Sequence, residues 1–123
     1  MIQIKTFHDL LVWQKAHEFT LVCYQTTKQY PNSELYGIIS QTRRAAVSIS
    51  ANIVEGFKRQ SVKDALRFYT IAYSSLEEVK YLLLLAKDLN YLSEKIYNHS
   101  LELSEEVSKL LFRWTQSQKN RLH

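Results

Sequence analysis

The sequence predicts an all-α fold, an antiparallel up-down-up-down bundle of four helices in a single domain spanning residues 1–123. Three observations carry that reading. Glycine occurs twice and proline once, too few for the tight turns of an all-β chain. Apolar residues recur at three- and four-residue intervals through four long segments. The connections between those segments are short, which sets successive helices antiparallel. A chain of 123 residues buries roughly two-thirds of its unfolded surface, enough for one core.

The first helix is expected over about 9–29. Trp13, His17, Thr20 and Tyr24 form its core stripe, flanked by Leu10, Ala16, Leu21 and Cys23. Pro31 ends it, because proline has no amide hydrogen and constrains the residue before it. The second helix is expected over about 34–55, capped by Asn32 or Ser33. Its core stripe is Ile38, Ile39, Thr42, Ala46, Ile49 and Ile53, and Gly56 serves as its C-terminal stop. The third, about 62–89, opens at Ser61 with Asp64 three residues on, a variant of the capping box. It buries Ala65, Tyr69, Ala72, Leu76, Val79 and Leu83, and Asn90 takes the left-handed position that closes it. The fourth, about 94–117, is capped by Ser93 and buries Ile96, Leu103, Val107, Leu110 and Trp114. The tail from Gln118 to His123 is polar and expected to fray.

These helices carry more apolar surface than one stripe each requires. With Thr42 at zero and 100° per residue, Val47 and Val54 fall about 120–140° from the core of the second helix. Tyr81 and Leu85 add an apolar flank to the third, and Tyr97, Leu101 and Phe112 to the fourth. Val12 and Phe19 lie on one flank of the first helix, and Leu11 and Val22 on its outer face. A patch of this kind usually marks an interface. Val47, Val54, Tyr81, Leu85, Tyr97, Leu101 and Phe112 are therefore the expected contacts of a homo-oligomer.

Several chemistries find no support. The single cysteine, Cys23, excludes an intramolecular disulfide framework and fits a reduced, cytoplasmic setting. The first residues lack the apolar run and cleavage site of a signal peptide. The longest apolar run, Tyr81 to Ala86, is far short of the ~20 residues that span a bilayer. A di-iron bundle needs Glu-x-x-His pairs, but His8, His17, His99 and His123 follow Lys5, Gln14, Ile96 and Asn120 at that spacing. Gly37 and Gly56 are too isolated for a phosphate-cradling loop. Glu77-Glu78 and Glu105-Glu106 are neighbours in sequence and diverge by about 100° around their helices, as salt-bridge partners would. Expectation is thus of no catalytic residue, no metal and no cofactor.

The formal net charge is +4, and all the excess lies in residues 1–67, where nine Lys/Arg face five Asp/Glu. Most of it falls in Arg43, Arg44, Lys58, Arg59, Lys63 and Arg67. Such a set is either a solvated face or a polyanion contact. Ser61 and the free amides at the start of the third helix add a favourable phosphate position. Phe57 and Tyr69 are the nearby aromatics for base stacking, though Tyr69 belongs to the core stripe. Contact with nucleic acid would be backbone-dominated and salt-sensitive. Gln41, Ser48, Asn52 and Glu55 share one side of the second helix, where they either fix helix register or bind a ligand.

The motifs Phe7-His8-Asp9-Leu10, Val12-Trp13-Gln14-Lys15-Ala16, Tyr36-Gly37-Ile38, Gln41-x-Arg43-Arg44-Ala45-Ala46-x-Ser48-Ile49 and Asn52-Ile53-x-Glu55-Gly56, with Arg59 and Ser61, carry a resemblance. Over roughly residues 7–92 the chain resembles the bacterial four-helix-bundle proteins first noticed as open reading frames in intervening sequences of 23S ribosomal RNA genes. It departs in having Asn90 where that family usually has Gly. The resemblance implies a ring, with a homopentamer the expected state, and it does not imply an enzyme. It is similar in architecture to the accessory protein of diversity-generating retroelements, a ring that binds nucleic acid and a reverse transcriptase. By that analogy the six basic residues would face RNA or DNA. The alternative is a scaffold that recruits another protein and has no nucleic-acid ligand.

Overall fold

The computed structural model describes residues 3–122. Met1, Ile2 and His123, on which parts of the leader, metal and tail expectations rest, lie outside the described residues. Four long helices follow one another: α1 (Leu11–Thr27), α2 (Ser40–Phe57), α3 (Val62–Asp88) and α4 (Glu94–Lys119). A 3-10 turn, Phe7–Asp9, precedes α1, and another, Asn120–Leu122, follows α4. Among the described residues there is no strand, and no helix is long and apolar enough to cross a membrane.

Contacts between successive helices pair rising residue numbers on one with falling numbers on the next, the order that antiparallel neighbours give. Thr20 meets Ser50 while Arg43 meets Thr27. Ser48 meets Ser75 while Gln41 meets Glu78. Tyr73 meets Ser108 while Lys80 meets Glu105.

The caps expected for α3 and α4 form. Ser61 Oγ accepts from the Asp64 amide at 3.1 Å, and Ser93 Oγ from the Ile96 amide at 3.1 Å. Asp64 turns its carboxylate to Arg67. Asn90 adopts φ 62°, and the amides of Asn90 and Tyr91 donate to the carbonyls of Lys87 and Ala86. This is the paired closure of a Schellman C-terminus, for which Asn is a tolerated left-handed residue.

The second helix begins later than expected. Asn32–Glu34 is a 3-10 turn and Leu35–Ile39 a single wide turn in which Gly37 leaves helical geometry (φ −113°, ψ −116°). Neither Asn32 nor Ser33 supplies a side-chain cap. Regular α-helix starts only at Ser40. Tyr91, in the α3–α4 connection, donates to Glu34 Oε2 at 2.8 Å and ties the two loops at this end of the bundle together.

The core stripes of α2 and α3 are buried as expected. Those of α1 and α4 are rotated. In α1 the buried residues are Val12, Ala16, Phe19, Thr20, Cys23, Thr26 and Thr27. His17, Tyr24 and Leu21 are exposed, and Trp13 is half-buried. The inward face is turned by about 90° from the aromatic stripe. The hydroxyls of Thr20 and Thr27 donate to the Ala16 and Cys23 carbonyls one turn back, at 2.9 and 2.8 Å. Those threonines thereby enter the core without an unmet polar group. In α4, Leu103, Val107 and Leu111 are buried along with Ser100 and Ser104, whereas Ile96, Leu110 and Trp114 are half-buried.

Gly56 does not stop α2 through a left-handed turn, since no glycine among the described residues has positive φ. It is buried inside the helix, and a Cβ there would stand 2.4 Å from Cε1 of Tyr69. The residue is small because α2 and α3 touch at this point.

Cys23 is 1% exposed, and burial pushes its thiol up to about 12. The raised value means that stability contributed by keeping the thiol neutral is complete below its unfolded pKa of about 8.5 and is lost as pH rises towards 12. At pH 8 a thiol-reactive disulfide reagent is expected to leave the folded protein unlabelled, and to label one thiol per chain on addition of denaturant. Rapid labelling without denaturant would contradict the packing of α1.

Candidate nucleic-acid interface

The six basic residues separate into two groups. Arg43 and Arg44 stand near the start of α2, whereas Lys58, Arg59, Lys63 and Arg67 surround the turn into α3. Lys58 follows Arg43 by fifteen positions, about 22 Å along the helix axis.

Arg43 is largely committed to structure. Its Nε donates to Thr27 Oγ1 at 2.9 Å and its Nη2 to the Tyr24 carbonyl at 3.3 Å. Its guanidinium lies 4.8 Å from the centre of the Tyr24 ring. Arg44 is exposed and, with Arg43, lines an open groove that also includes Tyr24, Tyr36 and Val47. Tyr36 is 94% exposed. A side chain that free beside an arginine is suited to stacking, a role that its place in the motif Tyr36-Gly37-Ile38 does not reveal. The departure of Gly37 from helical geometry is what lifts it away from the core.

At the other end, Ser61 caps α3, so the first amides of that helix point outward beside the turn. Glu55 accepts from Arg59 at 2.8 Å and lies 3.4 Å from the Lys58 ammonium. Asp64 pairs with Arg67 at 2.6 Å. The Phe68 ring carries Arg59 at 4.3 Å and Arg67 at 5.4 Å from its centre. This ring, not Phe57, is the aromatic that organises the turn; Phe57 is half-buried against the core. Lys63 is exposed and has no carboxylate within salt-bridge distance among the described residues. Four cations against two carboxylates leave this turn positive, with Lys58 and Lys63 directed to solvent.

The polar side of α2 faces α3. Ser48 Oγ and Ser75 Oγ are 2.8 Å apart, Asn52 Nδ2 donates to the Ser48 carbonyl and hydroxyl, and Gln41 reaches Glu78. These bonds fix helix register, and Glu55 alone of the four belongs to the charged turn. The glutamate pairs act as cross-links. Lys80 joins Glu77 and Glu105 at 3.2 and 3.0 Å, and Lys15 joins Glu18 and Glu106, both at 3.4 Å. Burial opposes the charge on Lys80, but its two carboxylates outweigh it and hold the ammonium above its ordinary range. Among the described residues no cluster of three or more His, Cys, Asp or Glu is placed to hold a metal.

Of the expected oligomer contacts, Val47, Tyr81 and Phe112 are exposed, and Val54, Leu85, Tyr97 and Leu101 are half-buried. Tyr97 lies under the Lys87 ammonium at 4.7 Å from the ring centre. Exposed apolar side chains occur on all four helices.

Comparison with known proteins follows the same outline. Residues 8–113 match the family described as 23S rRNA-intervening sequence protein. A similar crystal structure is that of a protein with unknown function from the S23 ribosomal protein family of Bacteroides thetaiotaomicron. The two superpose with a TM-score of 0.76 at 27% identity, over 85% of this chain and 98% of that one. No curated protein matches.

Proposed function

Because this chain belongs to the 23S rRNA-intervening sequence protein family, we propose that it is a non-enzymatic, ring-forming homo-oligomer, most economically a pentamer, that binds RNA in the cytoplasm. The observation that carries the reading is the α2–α3 turn, where Lys58 and Lys63 stand in solvent beside the opening amides of a 27-residue helix. Cations and a helix N-terminus together attract phosphate. The ion pairs of Arg59 and Arg67 hold the turn in shape, which leaves Lys63 unpaired among the described residues and Lys58 exposed with only Glu55 beside it. The surplus of exposed apolar side chains, with Tyr81 at 59% and Phe112 at 57%, supports assembly of several copies.

Filter binding of the full chain to single-stranded RNA at low salt tests the first part. Lys58→Glu with Lys63→Glu is expected to weaken retention uniformly across sequences and to flatten the dependence of log affinity on log salt by about 1.4, twice the ~0.7 of one phosphate contact. Absence of RNA retention by the wild type at low salt would remove the reading. Light scattering tests the second part, and a monomer at micromolar concentration would remove the ring. The apolar surface equally favours a protein scaffold, which predicts partner capture in a pull-down that survives nuclease.

A further inference from the structure

Between the α2–α3 turn and the end of α4 lies a cavity of about 140 Å³, lined among others by Arg59, Ser61, Tyr69, Trp114, Gln118 and Arg121. This is several times the ~30 Å³ share of a water molecule. Three of its polar lining residues, Arg59, Trp114 and Arg121, can only donate. Arg59 Nε and Trp114 Nε1 are buried at this end of the bundle and make no hydrogen bond of good geometry among the described residues; Asp64 lies 3.9 Å from the first, and the Tyr69 phenol is a candidate acceptor for the second. Tyr69 is 1% exposed, and burial pushes its phenol up against the opposing effect of the Trp114 indole, so it keeps its proton at neutral pH. Arg121 reaches in from the turn after α4, held by a 3.2 Å bond from Nη1 to Gln118 Oε1. Ser61 brings its hydroxyl and the free amides of α3. Among the described residues no Asp or Glu lines the cavity. Glu55 and Asp64 stand behind it, Glu55 occupying Nη2 of Arg59 and Asp64 staying 3.9 Å from its Nε.

Buried donors without acceptors are costly unless something accepts from them. Two guanidinium groups, an indole N–H and a helix N-terminus converging on one small space specify the charge of that acceptor. We infer that the cavity between the α2–α3 turn and the end of α4 is a site for a single phosphate group. Free orthophosphate and the terminal phosphate of a nucleic-acid strand present the same oxygens to it. The second source rests on the RNA-binding reading above and the first does not.

Calorimetric titration of the full chain with inorganic phosphate tests the site. The wild type is expected to take up one phosphate per chain saturably, and Arg121→Gln and Trp114→Phe each to weaken uptake about tenfold, the effect of losing one charge-assisted or buried bond. Arg121 is exposed, so its replacement leaves the core intact, which circular dichroism verifies. A 5′-phosphorylated oligoribonucleotide that outbinds its 5′-hydroxyl twin and is displaced by phosphate identifies the strand terminus as the source. Equal binding of the two, with phosphate uptake intact, identifies free phosphate. No saturable uptake by the wild type, or uptake unchanged in both variants, overturns the inference. RNA retained through Lys58 and Lys63 in that event leaves the RNA-binding reading standing.

Discussion

Phe19→Ala is expected to destabilise the bundle by about 3–5 kcal/mol, the usual consequence of emptying a fully buried aromatic site. Phe19 has no exposed surface and sits in the core with Ala16 and Cys23 as its neighbours on the same face of α1. Both neighbours are small, so little side chain is at hand to collapse into the space. The control lies two residues away. His17 is exposed and stacks on Trp13 with ring centres 5.1 Å apart and planes 5° apart. His17→Ala is expected to change stability by only about 0.5 kcal/mol. Chemical denaturation of the two variants therefore reads the rotation of α1 directly. A large effect at His17 with a small one at Phe19 would restore the aromatic stripe as the buried face.

Gly56→Val is expected to cost about 3 kcal/mol, measured as a lowered midpoint of urea or thermal unfolding. Two terms compete here. Gly56 lies in the last turn of α2, where replacing glycine with a better helix former gains at most about 1 kcal/mol, and less for a β-branched residue. Against this, the new Cβ would meet the Tyr69 ring at 2.4 Å from Cε1 and 2.9 Å from Cδ1. That ring is 1% exposed and stands edge-on to Trp114, so it can give way only towards the small cavity it lines with Trp114. Overpacking of this kind costs typically 1–3 kcal/mol, and the two methyls that valine carries beyond Cβ add to it. Gly56→Ala meets the same first carbon with the full propensity gain, so a smaller loss is expected. Unchanged stability in both variants would show that the α2–α3 contact yields freely.

The helices of this protein were legible because their signals are local. Ser61 and Ser93 sit three residues before the amides they cap, Asn90 takes the left-handed turn expected of it, and the stripes of α2 and α3 are dense in Ile, Leu and Val. The face of α1 was legible only in part: Thr20 and the flanking Leu10, Ala16 and Cys23 are buried, whereas Trp13, His17 and Tyr24 are not. Its real core residues include Ala16, Cys23, Thr20 and Thr27, which look weakly hydrophobic in sequence. They are buried only because each threonine bonds its own helix and because a neighbouring helix needs small residues there. The conspicuous Trp13, His17 and Tyr24 went instead to the flank, where stacking and the Arg43 guanidinium occupy them.

The same division applies to the charged residues. The clustering of Lys58, Arg59, Lys63 and Arg67 follows from sequence proximity across one turn. That Arg43 is spent on Tyr24 and Thr27, that Phe68 supports two guanidinium groups, and that Arg121 returns to the same end as Arg59 required the tertiary arrangement. By itself the sequence determined the helical class, the caps of α3 and α4, the core faces of α2 and α3 and the basic character of the α2–α3 turn. Each depends on residues within a few positions of one another along the chain. The structure decided the rotations of α1 and α4, the reason for Gly56 and the donor-lined cavity. Those depend on which side chains far apart in sequence come into contact, from Gly56 and Tyr69, 13 positions apart, to Lys15 and Glu106, 91 apart, and helical periodicity says which residues share a face without saying which face is turned inward.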